Sequence, residues 1–140
     1  MPKPTASAQD RAPDEKVTVN LGVVDLGRID LLVQEGFYSS RTDLIRAAIR
    51  AELDRHSDVV RELVERRTLV LGIRRFTAAE LEAVRDAGER LDVRVLGLAV
   101  FADDITPELA LDTIGSLTLL GALQARPALR RALATRTGTS

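Results

Sequence analysis

The sequence predicts an α+β protein of two modules, and three observations lead to this prediction. A short strand of alternating polar and apolar residues near the N-terminus is followed by two amphipathic helices. The second half repeats a strand–turn–helix unit, with a glycine at the same place in each unit. A chain of 140 residues with 45% apolar side chains suits one domain or two small ones. We therefore expect a strand–helix–helix module followed by a β/α repeat module with a short parallel sheet.

Composition narrows the function classes before any motif is considered. The absence of cysteine removes disulfides, thiolate metal sites and cysteine nucleophiles, and it fits a cytoplasmic location. His56 is the only histidine, so no metal ligand set, cofactor site or catalytic residue is predicted. A formal net charge of −1 means that any contact with DNA must come from a local patch. No apolar run is long enough to cross a bilayer, so no membrane partner is expected.

The strand of the first module covers residues 16–21, KVTVNL. Its two faces differ in polarity: the polar face carries Lys16, Thr18 and Asn20, and the apolar face carries Val17, Val19 and Leu21. Within about fifty residues on either side there is no comparable strand to form a hairpin. Because a lone strand leaves its backbone donors and acceptors unpaired, we expect it to pair with the same strand of a second copy about a two-fold axis.

Two helices are predicted after this strand. The first has apolar residues at helical spacing from Val24 to Val33, and Gly36 suits a left-handed C-terminal cap. The second begins near Ser40, which with Asp43 resembles a capping box. It either runs on to about residue 67 or breaks near Ser57 and resumes. The predicted dimer core combines both helices with the strand: Val17, Val19, Leu21, Ile29, Leu32, Ile45 and Ile49.

The spacing from Val17 to Leu53, and most specifically the segment EGFYSSRTDLIRAAIR, resembles the ribbon-helix-helix (MetJ/Arc/CopG-type) DNA-binding family without gaps. This resemblance implies a homodimer whose antiparallel β-ribbon enters the major groove of double-stranded DNA. It implies base reading by Lys16, Thr18 and Asn20, and phosphate binding near Ser39, Ser40 and Arg41. Gly22 departs from the family, which often has proline at this place, so a late start of the first helix is expected.

The second module repeats with a period of about 25 residues. Gly72, Gly97 and Gly121 recur at intervals of 25 and 24, each preceded by leucine. Phe76 and Phe101 take equal places in the first two units, and the third unit looks shortened. The period is typical of leucine-rich-type solenoids, although three β/α units of an ordinary small fold explain it equally well. Either way, consecutive strands joined by helices should run parallel.

The last predicted strand is an apolar, uncharged edge, which should meet another chain and build tetramers or larger arrays. The residues of this possible oligomer edge are Leu117, Leu119, Leu120 and Leu123. The predicted boundaries are a disordered arm (1–15), the DNA-binding module (16–56), a helical connector (57–67), the repeat module (68–134) and a disordered tail (135–140).

These features predict a non-enzymatic transcriptional regulator, a repressor associated with the nucleoid in the cytoplasm. Two alternatives stay open: an antitoxin that binds a toxin partner, and an architectural protein whose repeats assemble on DNA. A small-molecule effector is also compatible with the sequence, because apolar pockets leave no sequence mark.

Overall fold

The structure is a computed structural model and describes residues 14–137. These residues belong to two compact units, Lys16–Leu63 and a second unit that contains the chain from Val64 onward. The predicted disordered arm lies outside the described residues except for its last two positions. Residues 138–140 of the predicted tail lie outside them as well.

The first unit contains an extended segment and helices. Residues 14–22 have no hydrogen-bonded secondary structure with any other described residue. Helix α1 spans Val23–Gln34, α2 spans Arg41–Arg55, and α3 begins at Ser57 and ends at Arg66 in the second unit. Helix α1 begins at Val23 with Gly22 as its N-cap, one residue later than a helix opened by proline at position 22.

The helix ends of this unit follow local sequence signals. Gly36 has φ of 85°, and the N–H groups of Gly36 and Phe37 donate to the carbonyls of Val33 and Leu32. This is the Schellman pattern, in which a left-handed residue closes the last turn. Helix α2 ends at Arg55 with His56 as its C-cap, and α3 begins at Ser57, so the interrupted form of the second helix is the one adopted.

The second unit alternates strands and helices. Strand β1 (Val70–Phe76) is followed by α4 (Ala78–Asp86), β2 (Leu91–Phe101), α5 (Pro107–Thr113), β3 (Ile114–Gln124) and α6 (Pro127–Ala134). The strands pair in the order β1-β2-β3, and both pairings are parallel. The predicted short parallel sheet is therefore confirmed. The third β/α repeat, which the sequence predicts to be shortened, is complete, since it has an eleven-residue strand and its own helix.

The core of the second unit lies between the sheet and its three helices. One cluster of buried side chains joins all of these elements, with Leu81 from α4, Leu109 from α5 and Leu129 from α6. Phe76 and Phe101 are register partners on β1 and β2, and their rings stack with centroids 4.7 Å apart. That distance matches the spacing of neighbouring strands. The helices therefore cover the same face of the sheet, and apart from this phenylalanine pair the core is aliphatic.

The repeated glycines form a row across the sheet. Gly72 pairs with Gly97, and Gly97 pairs with Gly121. All three have positive φ, between 115° and 137°. A Cβ on Gly97 would lie 2.1 Å from the carbonyl oxygen of Gly72, and a Cβ on Gly121 would lie 2.0 Å from that of Gly97. Only glycine therefore fits at the second and third positions of the row.

The outer edge of β3 differs from the prediction. Leu117 is 1% exposed and belongs to the core, and its N–H donates to the carbonyl oxygen of Arg136. A parallel bridge joins Leu117 to Thr137, so residues 136 and 137 lie against β3 and are not frayed. Of the predicted oligomer edge, Leu117 is therefore inside the chain, Leu119 and Leu123 pack partly against the core, and Leu120 is 46% exposed.

Candidate nucleic-acid interface

The extended N-terminal segment holds the predicted base-reading residues. Lys16, Thr18 and Asn20 are all exposed. The alternate residues are exposed as well, with Val17 at 79% and Val19 at 68%. Within residues 14–137, no backbone hydrogen bond pairs this segment with another strand. The segment therefore has an apolar face without cover and a free backbone edge.

The helices of the first unit also leave their apolar residues uncovered. None of the residues from 16 to 63 is buried within the described chain. Leu32 and Ile45 are each 38% exposed, Ile49 is 54% exposed, and Ile29 is partly exposed. These are helical positions of the predicted dimer core. A single chain gives this unit too little cover for a core, as expected for so small a module.

The N-terminus of α2 is organised by two short polar side chains and a carboxylate. The hydroxyl oxygen of Ser40 accepts a hydrogen bond from the Asp43 N–H at 3.0 Å, which confirms the predicted N-cap. The Asp43 carboxylate accepts from the N–H and the hydroxyl of Ser39, each at 3.2 Å. The N–H groups of Arg41 and Thr42 donate to no acceptor in the described part of the chain. These are the first two amides of the helix, and they lie at the positive end of the helix dipole.

These contacts change the predicted phosphate site in one respect. Ser39 already donates both of its hydrogen bonds to Asp43, so it is not a free phosphate donor in this structure. The available donors are the amides of Arg41 and Thr42 and the Ser40 hydroxyl, which can donate its proton outward. The helix end keeps an anion-binding character, although the Asp43 carboxylate beside it weakens the attraction.

The Arg41 side chain is also engaged within the chain. Its Nε and Nη2 donate to the two carboxylate oxygens of Asp30 at 2.6 and 2.8 Å. The hydrogen bond from Arg41 lowers the pKa of Asp30, and the same bond raises the pKa of Arg41. This bidentate pair links α1 to α2 across the turn. We interpret Arg41 as a residue that fixes the position of the helix N-terminus.

Three cations of this unit have no carboxylate partner among the described residues. They are Lys16 on the extended segment and Arg46 and Arg50 on α2. Arg46 and Arg50 are four residues apart, so they lie on one face of the helix. Arg28 and Arg55, by contrast, pair with neighbouring acidic residues. The extended segment and α2 therefore carry positive charge that no described carboxylate neutralises, and positive charge of this kind attracts polyanions.

No group of three or more histidine, aspartate or glutamate residues in the described chain could hold a metal ion. His56 lies at the C-terminal end of α2, where its Nε2 is 3.1 Å from a carboxylate oxygen of Glu52. No helix in the described part of the chain is long and apolar enough to cross a membrane.

Comparisons with known proteins agree with the geometry of the first unit. A family model described as the ribbon-helix-helix transcriptional regulator family matches residues 12–130. The match includes the extended N-terminal segment, the two helices that follow it and most of the β/α repeats. No curated protein and no solved structure matches the chain.

Proposed function

The chain belongs to the ribbon-helix-helix transcriptional regulator family, whose members bind DNA and dimerise, and we propose that it is a repressor that reads DNA with a β-ribbon. In this proposal, residues 16–21 of two chains pair antiparallel about a two-fold axis. Their polar faces then carry Lys16, Thr18 and Asn20 from both chains into the major groove, which is wide enough for a two-stranded ribbon.

One observation carries the proposal. The segment is extended, exposed and without a backbone partner among residues 14–137, and its apolar residues are uncovered together with those of α1 and α2. Pairing with a second copy satisfies the backbone of the strand and buries both sets of apolar residues at once. Because successive side chains of a strand point to opposite faces, burial of Val17 and Val19 leaves the polar face of the ribbon exposed.

The amides of Arg41 and Thr42 would then bind a DNA phosphate on each side of the ribbon. The unpaired cations Arg46 and Arg50 are candidates for further phosphate contacts. Each phosphate contact contributes about 0.9 to the slope of log affinity against log salt concentration. Because only three cations in the described part of the first unit lack a carboxylate partner, we expect weak non-specific binding and an operator with two or more adjacent half-sites.

The experiment is selection of bound fragments from genomic DNA, followed by affinity measurements on the selected site. Thr18→Ala or Asn20→Ala should cost about 1–3 kcal/mol at one base position and relax the sequence preference there. The matched control is Glu62→Ala, an exposed α3 residue outside the ribbon. A selection that recovers no common sequence, or a Lys16/Thr18/Asn20 triple alanine variant that recovers the same one, would refute base reading by this segment.

A further inference from the structure

A cavity of about 350 Å³ lies at the beginning of the sheet in the second unit. The residues that line it are Arg66, Arg67, Leu69, Arg94 and Thr118. Its volume falls within the range of pockets that take small ligands. Three of these five residues are arginines, and none of them is acidic. The cavity therefore carries positive charge from Arg66 and Arg94.

The turn between α3 and β1 brings two of the arginines to the cavity. Thr68 has φ of 54°, in the left-handed region that a β-branched residue rarely adopts. The N–H groups of Thr68 and Leu69 donate to the carbonyls of Glu65 and Val64, at 3.2 and 2.9 Å. This is a Schellman closure with threonine at the position where glycine is usual. The strained turn places Arg66 and Arg67 beside the first residues of β1.

The sheet supplies the opposite wall. Arg94 on β2 and Thr118 on β3 are register partners, so their side chains are neighbours on the same face. Arg94 Nη1 donates to the carbonyl oxygen of Arg67 at 3.2 Å, which holds the guanidinium at the cavity. Neither Arg66 nor Arg94 forms an ion pair with any carboxylate of residues 14–137.

An apolar strip begins next to this wall. Leu96 follows Arg94 by two residues on the same face of β2, a distance of about 7 Å. The register partners of Leu96 are Leu71 and Leu120, which are 66% and 46% exposed. The face of the sheet opposite the helices therefore combines fixed positive charge at its beginning with aliphatic side chains beyond it.

We propose that this cavity binds a phosphate group. Guanidinium groups match the geometry of phosphate oxygens, and a threonine hydroxyl adds a donor. The phosphate can come from a free organic phosphate, with its carbon chain on the leucine strip, or from a DNA backbone. The strip favours the free organic phosphate, since DNA offers it no aliphatic group. The cavity lies in the second unit and does not involve the ribbon residues.

The first arm of the test is calorimetry of the full-length protein with inorganic phosphate and with n-hexyl phosphate. We expect saturable binding of one ligand per chain, with hexyl phosphate at least tenfold tighter. Arg94→Gln should weaken both at least tenfold, and Arg131→Gln, an exposed arginine of α6 outside the cavity, should leave both unchanged. Thr118→Val removes the hydroxyl with little change in volume and should weaken both severalfold, which keeps the test valid if Arg94→Gln misfolds.

The second arm measures the affinity for duplex DNA by fluorescence anisotropy, with and without hexyl phosphate. A free ligand is indicated if Arg94→Gln leaves the DNA affinity unchanged in the absence of hexyl phosphate. The DNA backbone is indicated if the variant weakens every duplex alike and reduces the salt slope by about one. The proposal is overturned if the wild-type protein binds neither phosphate compound saturably and Arg94→Gln does not alter DNA binding. It is also overturned if Arg131→Gln has the same effect as Arg94→Gln. The calorimetry requires no DNA, so a failure of ribbon reading would not affect it.

Discussion

Gly97→Ala is the substitution that best tests how the three strands are held together. The new Cβ would lie 2.1 Å from the carbonyl oxygen of Gly72 and 3.0 Å from its carbonyl carbon. Contacts between such carbon and oxygen atoms are normally about 3.3 Å or longer, so β1 would have to move away by roughly 1.2 Å. A displacement of that size breaks the neighbouring hydrogen bonds between β1 and β2.

The size of the effect can be built from two contributions. The φ of 137° at Gly97 is unfavourable for alanine and costs about 1–3 kcal/mol. The displaced strand loses two or more backbone hydrogen bonds at about 1 kcal/mol each, together with packing of the Phe76 ring on Phe101. We therefore expect Gly97→Ala to lower the free energy of unfolding by about 4 kcal/mol. That is a large part of the stability of a small domain.

Gly72→Ala is the matched control. Gly72 also has positive φ, 115°, but no atom lies within 4 Å of its added Cβ, because β1 is the edge strand. Gly72→Ala should lower the free energy of unfolding only by the backbone contribution. Gly121→Ala should behave like Gly97→Ala, since its Cβ would lie 2.0 Å from the Gly97 oxygen. The measurement is the urea midpoint and slope by circular dichroism. Equal losses for Gly97→Ala and Gly72→Ala would refute the close-approach argument.

Three further substitutions test local features. Thr68→Gly should raise the free energy of unfolding by about 1 kcal/mol, since glycine relieves the left-handed strain, and a lower urea midpoint would contradict this. Ser40→Ala should lower it by about 1 kcal/mol through loss of the cap on α2, and an unchanged midpoint would show that the cap bond is not stabilising. Asp30→Asn tests the pair with Arg41. The pKa of Asp30 is lowered in the folded chain. The contribution of the Asp30–Arg41 pair to the free energy of unfolding is therefore fully present above the unfolded pKa of about 3.9, and it is lost as the pH falls through the lower folded pKa. The wild-type urea midpoint should therefore fall more steeply than that of Asp30→Asn as the pH is lowered below about 4, and parallel curves would contradict the assignment.

The features that could be predicted from the sequence depend on neighbouring residues. The helix after Ser40 begins with the predicted side-chain cap, and Thr77 and Thr106 cap the helices that follow them in the same way. In each case the hydroxyl accepts from the N–H three residues later. The left-handed end at Gly36 and the β/α alternation are of the same kind. Capping, turn chemistry and apolar periodicity act within a few residues, so a single sequence contains them.

The features that could not be predicted join residues that are far apart in the chain. Arg41 contacts Asp30 across eleven residues, and Arg94 contacts the Arg67 carbonyl across twenty-seven. Neither pair has a periodic or spacing signal. The sequence shows the period of the glycines, but it does not show that the carbonyl oxygen of one glycine lies close to the Cα of the next. That contact depends on the register of the paired strands. Leu117 looked like an exposed edge for the same reason, since the returning residues 136 and 137 cover it.

The two units differ in how far a single chain can stabilise them. The second unit has a continuous buried core, from Phe76 to Leu133. Residues 16–63, by contrast, bury none of their side chains in the described chain. Burial of apolar surface is the main favourable contribution to folding, so under the proposed function the free energy that orders the first unit comes from association. In that proposal, dimerisation and formation of the DNA-reading surface are one equilibrium, and the concentration of the protein sets how much of that surface exists.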